Sequence, residues 1–171
     1  MQKFDSTVSK DLLQTVPAVV NLYMLEGYDF ASHDLGSQSD PYLTIQCGEN
    51  IFNERENYQT DQLCPKFNKL YSFSVNFPGP PDIVITSYDY DTLFGDDLIG
   101  KTVIDLDDRF YSVDWQALEQ KPIESRQLKH PNCNLSQGVV SCWLEIEPTN
   151  KDKQRAPSKK WDLTPEPVQK F

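Results

Sequence analysis

The sequence predicts an all-β protein, an antiparallel β-sandwich, on three observations. Short apolar, β-branched runs recur along the chain. The segments between them are rich in Asp, Asn, Ser, Pro and Gly, so turns and not helices join the strands. The composition, 38% hydrophobic and 12% aromatic with 12 prolines against 7 glycines, suits a loop-rich globular chain. A length of 171 residues suits one domain with a tail, since domains usually run about 100–150 residues.

Residues 1–17 are mixed in character, lack strand periodicity and read as a leader, with 11–16 forming a short helical turn at most. The run AVVNLYMLE at 18–26 is the first strand. GYDFASHDLGSQSD is a loop, and PYLTIQC at 41–47 follows with Pro at a strand's first position, where its missing N–H costs little. Residues 51–60 supply a short strand plus connection, and KLYSFSVNF at 69–77 alternates as another strand. A Pro-Gly-Pro-Pro turn leads into DIVITSYDYD, and LIGKTVIDL comes after the acidic TLFGDD loop. In DDRFYSVDWQALEQ, Asp107 or Asp108 is placed to cap a short helix. PIESRQL and GVVSCWLEIE close the fold, the latter setting Val140, Cys142, Leu144 and Ile146 on one face. The count is about eight strands at sandwich-like spacing. From residue 148 to 171 the chain is polar, basic and proline-containing, a linker that Trp161 and Leu163 would pin to the body.

A formal charge of −10 excludes nucleic acid as a resting partner and opposes resting attachment to an anionic membrane. Carboxylates gathered in one place and neutralised by divalent cations would reverse that second exclusion. Cys47, Cys64, Cys133 and Cys142 have neither zinc-site nor disulfide-framework spacing and read as reduced, buried or half-buried thiols. No apolar run reaches membrane-spanning length, and no signal peptide is present. His33 and His130 lie in no nucleophile motif, and no phosphate-binding glycine loop occurs, so no enzymatic activity is expected.

The acids are patterned. Asp34 and Asp40 bracket one loop, and Asp89, Asp91 and Asp97 bracket another. Asp89 and Asp91 leave a strand two apart, on the same side, and Gly95 lets the chain turn so that Asp97 returns toward them. A single loop Asp is an ordinary turn residue. Two such loops at one edge of a sandwich bring like charges together at a cost that a cation offsets. Calcium suits this demand, taking about 6–8 oxygen ligands with loose geometry. An EF-hand is excluded, because counting twelve from Asp89 reaches Gly100 where a bidentate Glu is required.

SDPYLTIQ at 39–46, with Asp34 six residues before Asp40, SYDYD at 87–91 and DDLIG at 96–100 together resemble the C2 domain signature over residues 18–147. The resemblance implies an eight-stranded C2 sandwich that binds calcium between loops at one end. One strand before the first acidic loop and a strand at the C-terminal end resemble the permuted type II topology. By motif the ligands would be Asp34, Asp40, Asp89, Asp91 and Asp97, joined by the backbone carbonyls of Leu35, Tyr90 and Gly95. Leu35, Leu93 and Phe94 sit where such domains carry membrane-contacting residues.

NERENYQTDQLCPKFNKLYSFSVNFP and DDLIGKTVIDLDDRFYS resemble the ferlin version, and PSKKWDLTPEPVQKF resembles the stretch between successive ferlin C2 domains. This implies an excerpt of a tail-anchored protein of vesicle fusion and membrane repair. It would act at the cytoplasmic face of membranes, with anionic phospholipid, neighbouring C2 domains and fusion-machinery proteins as partners. Where many C2 domains carry a lysine cluster, this chain has IFNERENYQ, with one Arg and two Glu, which opposes phosphoinositide recognition there. A calcium-independent protein-interaction domain is the alternative.

Overall fold

The computed structural model describes residues 14–32, 38–149 and 159–161. Eight strands form among the described residues: β1 (Val16–Tyr28), β2 (Pro41–Cys47), β3 (Asn50–Asn53), β4 (Lys66–Phe77), β5 (Ile83–Asp89), β6 (Asp97–Ile104), β7 (Glu124–Gln127) and β8 (Val139–Pro148). Alternating burial marks β4 and β5 most plainly, whereas β7 carries no apolar side chain and β3 is exposed throughout. They make two four-stranded antiparallel sheets, ordered β4-β1-β8-β7 and β3-β2-β5-β6. This is the all-β, eight-stranded sandwich expected. The C-terminal strand β8 lies beside β1, as the permuted connectivity requires.

The core fills the space between the sheets. Val20, Leu22 and Met24 of β1, Ile45 of β2, Ile83 and Ile85 of β5 and Ile99 of β6 are fully buried, with Phe73 and Phe77 of β4 beside them. Val140, Cys142, Leu144 and Ile146 enter the same core. The opposite face of β8 is covered too, because Ser141, Trp143 and Glu145 are also buried. Trp143 stacks on Tyr23 at 3.9 Å, and the Tyr23 hydroxyl donates to Glu145 Oε2 at 3.1 Å. Nearby, Trp161 Nε1 donates to the Lys121 carbonyl at 2.9 Å, so the tail touches the body through Trp161. Leu163 lies outside the described residues.

The segment 51–60 supplies the short strand and connection expected, holding most of β3 and then a 3-10 turn at Arg55–Asn57. Other local expectations shift. Between β6 and β7 stand two short helices, α1 (Asp107–Phe110) and α2 (Val113–Ala117). Asp107 and Asp108 lie within the first turn of α1, whose N-cap residue is Leu106. The side-chain cap belongs to α2, where Ser112 Oγ accepts the Trp115 N–H at 3.1 Å. The four cysteines are free thiols; burial pushes Cys142 up to about 12, whereas Cys64 is exposed rather than half-buried.

The register sets the two ends of the sandwich. Tyr28 pairs with Val139, and Glu26 with Lys66, at the end where Pro41 faces Asp89 and Asp89 faces Asp97. The connections β1–β2, β3–β4, β5–β6 and β7–β8 therefore emerge together at that end. Val16, Pro148 and the helices lie at the other.

Candidate functional site

Three strand ends carry the described carboxylates. Asp40 precedes β2, whose Pro41 faces Asp89 on β5, and Asp89 in turn faces Asp97 on β6. The backbone knits these positions: Asp40 N donates to Asp89 Oδ1 at 2.7 Å, and Tyr90 N donates to the Asp40 carbonyl at 3.0 Å. Asp40 Oδ1 accepts the Asp61 N–H at 2.8 Å, tying the β3–β4 loop to the same point.

Asp91 lies beyond the end of β5 and organises its own loop. Its Oδ1 accepts from Leu93 N at 2.6 Å and from Phe94 N at 3.3 Å, a local turn of the kind Asp favours. The turn leaves Leu93 80% and Phe94 90% exposed. Gly95 follows at φ +90°, a conformation that L side chains rarely adopt.

An additional arrangement holds this loop from the side. Arg55, in the 3-10 turn, donates through Nε to Asp96 Oδ2 at 2.6 Å and through Nη2 to Asp96 Oδ1 at 3.0 Å. Nη2 also reaches the Asp91 carbonyl at 3.3 Å. Asp96 Oδ1 accepts the Asp91 N–H, and its Oδ2 accepts the Tyr42 hydroxyl at 2.7 Å. The guanidinium sits 4.4 Å above the Tyr90 ring, which stacks on Tyr58 at 4.0 Å. The Arg55 guanidinium holds the Asp96 carboxyl well below the usual carboxylate range, and Asp96 in return raises Arg55. Burial, then the Asp96 carboxylate, pushes the Tyr42 hydroxyl up. Arg55, Asp96 and Tyr42 lie in the stretches IFNERENYQ, DDLIG and SDPYLTIQ, but nothing in those letters pairs them across the fold.

Of the sequence-expected ligands, Asp34 and Leu35 lie outside the described residues. Asp40, Asp89 and Asp97 are rooted at adjacent strand ends, with Asp91 in the loop between the last two. Among the described residues, no group of three or more His, Cys, Asp or Glu side chains stands together as a metal-holding cluster. The donor chemistry nonetheless fits a hard cation: the four positions offer only carboxylate oxygens, with the Tyr90 and Gly95 carbonyls beside them in sequence. One oxygen of each of Asp40, Asp89 and Asp91 is already engaged by a backbone N–H.

A family model described as "C2 domain" matches residues 18–130. Human myoferlin is 34% identical over 105 residues, covering 60% of this chain and 5% of myoferlin. Mouse Fer-1-like protein 4 is 34% identical over 107 residues, 61% of this chain and 5% of that protein. The chain thus spans about 5% of the length of the curated relatives it matches. Among solved structures, a calcium-bound pair of C2 domains from extended synaptotagmin 2 superposes with a TM-score of 0.63 at 26% identity, covering 79% of this chain and 48% of that one. A C2 domain of plant extended synaptotagmin 1 superposes with a TM-score of 0.58 at 16% identity, covering 78% of this chain and 97% of that one, a likeness of fold. With its sandwich, its strand order and its sequence match over residues 18–130, this chain belongs to the C2 domain family and is similar to the C2 domains of ferlins.

Proposed function

We propose that this domain is a calcium-triggered membrane-docking module. Asp34, Asp40, Asp89, Asp91 and Asp97 would hold the ion, with the carbonyls of Leu35, Tyr90 and Gly95. When bound, calcium offsets the charge of these carboxylates and offers coordination positions to lipid phosphate. Leu35, Leu93 and Phe94 then enter the interface, where burying each large apolar side chain contributes roughly 1.5–3 kcal/mol. The observation that carries this reading is the juxtaposition at one end of the sandwich. Carboxylates at the ends of β2, β5 and β6 lie beside a loop that leaves Leu93 and Phe94 almost fully exposed.

The likeness to a calcium-bound extended synaptotagmin 2 supports the choice of ion. Extending the ferlin likeness, we propose a tail-anchored parent protein at the cytoplasmic face of vesicle or plasma membranes, acting in fusion or repair beside neighbouring C2 domains and fusion-machinery proteins; the 34% identity to myoferlin and to Fer-1-like protein 4 is what supports that extension. The module itself is a binding device and not a catalyst. Among the described residues no helix is long and apolar enough to cross a membrane.

One observation favours a second reading, a calcium-independent protein-interaction domain: Arg55 already places a cation against the acidic loop. Sedimentation with phosphatidylserine-containing vesicles separates the two. Calcium-dependent pelleting, lost in an Asp89→Asn/Asp91→Asn variant, is the expected result. Equal binding with calcium and with chelator, unaltered by the double substitution, would overturn the calcium mechanism.

A further inference from the structure

The β7–β8 connection, residues 128–138, shares the end of the sandwich occupied by the acidic loops. Ala31 N, in the β1–β2 connection, donates to the Gln137 carbonyl at 3.0 Å, and Lys101 of β6 and Lys129 exchange backbone hydrogen bonds of 2.9 Å. The connection is built. Its neck closes through Leu128 N to the Gly138 carbonyl at 2.8 Å and Gln137 N to the Leu128 carbonyl at 3.0 Å. Inside it the buried Gln137 amide donates to the Leu135 carbonyl at 3.1 Å and to Cys133 Sγ at 3.2 Å. Leu135 is therefore held by its backbone while its side chain stays 76% exposed.

A lone exposed leucine is ordinary on a protein surface. Leu135 differs in its company, because Leu93 and Phe94 project at the same end. Its loop also differs in charge. The stretch LKHPNCNLSQG contains Lys129 and no carboxylate, in a chain whose net charge is −10. Exposed Lys101 lies directly across the backbone bridge from exposed Lys129. An exposed apolar tip on an acid-free, lysine-bearing loop is complementary to an anionic lipid surface, whose phosphates attract the cations and whose acyl boundary takes the leucine. Val113 provides the contrast: it is 81% exposed, but it stands on α2 at the far end.

We propose that residues 128–138 form a further membrane-contacting loop, with Leu135 entering the interface of an anionic bilayer and Lys129 meeting lipid phosphate. The inference rests on the membrane-docking reading above and adds a contact whose charge does not depend on calcium.

Vesicles of phosphatidylcholine with phosphatidylserine, titrated in millimolar calcium, test it with Leu135→Asp, Val113→Asp and Leu93→Asp/Phe94→Asp variants, each checked for unchanged thermal unfolding. Leu135→Asp is expected to weaken vesicle binding about tenfold, the scale of one buried leucine, while Val113→Asp binds as wild type. If Leu135→Asp binds as wild type while the Leu93→Asp/Phe94→Asp variant loses affinity, the additional loop is overturned and the docking reading stands. If the wild-type protein fails to bind with and without calcium, or if no variant changes binding, both are overturned.

Discussion

Arg55 reaches Asp96 across 41 residues of sequence and there fastens the β3–β4 connection to the β5–β6 loop. The pair is partly open to solvent, with Arg55 38% and Asp96 12% exposed, so its role is better judged from geometry than from charge alone. Bidentate contact, the Tyr42 hydroxyl and the Asp91 amide all converge on one carboxylate, which leaves the Asp96 side chain little freedom. Because Arg55 depresses the folded-state titration of Asp96, its contribution to stability is present above the ordinary Asp range and is lost as pH falls through the lower folded value. The stability difference between wild type and Asp96→Asn, measured by urea unfolding, should therefore be flat from neutral pH down to about pH 5 and should shrink below that. A difference that grew on acidification would contradict the sign. Glu54 behaves similarly: burial pushes it up, but hydrogen bonds from Lys69 and Asn57 outweigh this and hold it below its ordinary range. Neither pair was legible in the sequence, since a contact between distant surface residues leaves no periodic mark.

Two glycines place the loops, and they do so for different reasons. At Gly95, φ is +90° but an added Cβ would meet nothing within 4 Å, so Gly95→Ala carries only the backbone cost, about 1 kcal/mol. At Gly138, φ is +132° and a Cβ would lie 2.7 Å from Phe30 Cδ1, 3.1 Å from Phe30 Cα and 3.3 Å from the Asp29 carbonyl. The nearest of these is a side chain, but the other two are backbone of the β1–β2 connection. Gly138→Ala should therefore cost about 2–3 kcal/mol in urea unfolding, more than Gly95→Ala, by forcing the β7–β8 connection away from its neighbour. An aromatic contact governs the far end, where Phe110 of α1 stacks on Phe77 of β4 at 3.8 Å with Phe110 only 7% exposed. Phe110→Ala should cost about 3–5 kcal/mol by the same measurement. The strands were legible because alternation between the sheets is a period-two signal, which Val140, Cys142, Leu144 and Ile146 display plainly. The second buried face of β8 was not, because what covers Trp143 and Glu145 is set by tertiary neighbours such as Tyr23 and not by spacing within the strand. The β7–β8 connection lacked acids or glycine motifs, and only the register placed it beside the acidic loops.

At the scale of the whole molecule, charge and stability are coupled through the loop end. A net charge of −10 makes the compact state repel itself, and the ends of β2, β5 and β6 root Asp40, Asp89 and Asp97 at neighbouring strand ends of one sheet. These strands are interior or edge members of one sheet, so anything that steadies their ends resists unfolding of the sheet as a unit. A cation bound only by the folded protein therefore raises the melting temperature by mass action. At free calcium about a hundredfold above its dissociation constant the gain is about 2.7 kcal/mol, which for a domain of this size is on the order of 5–10 °C. Magnesium at the same ionic strength should do much less, because it demands a tighter octahedral shell than carboxylates fixed on separate strands supply. Calorimetry of the wild type and of Asp89→Asn/Asp91→Asn in calcium, magnesium and chelator measures the effect. A calcium shift confined to the wild type is expected. An equal shift with either metal would mean general screening of the surface charge, and no shift at millimolar calcium would leave the acidic end to a basic protein partner.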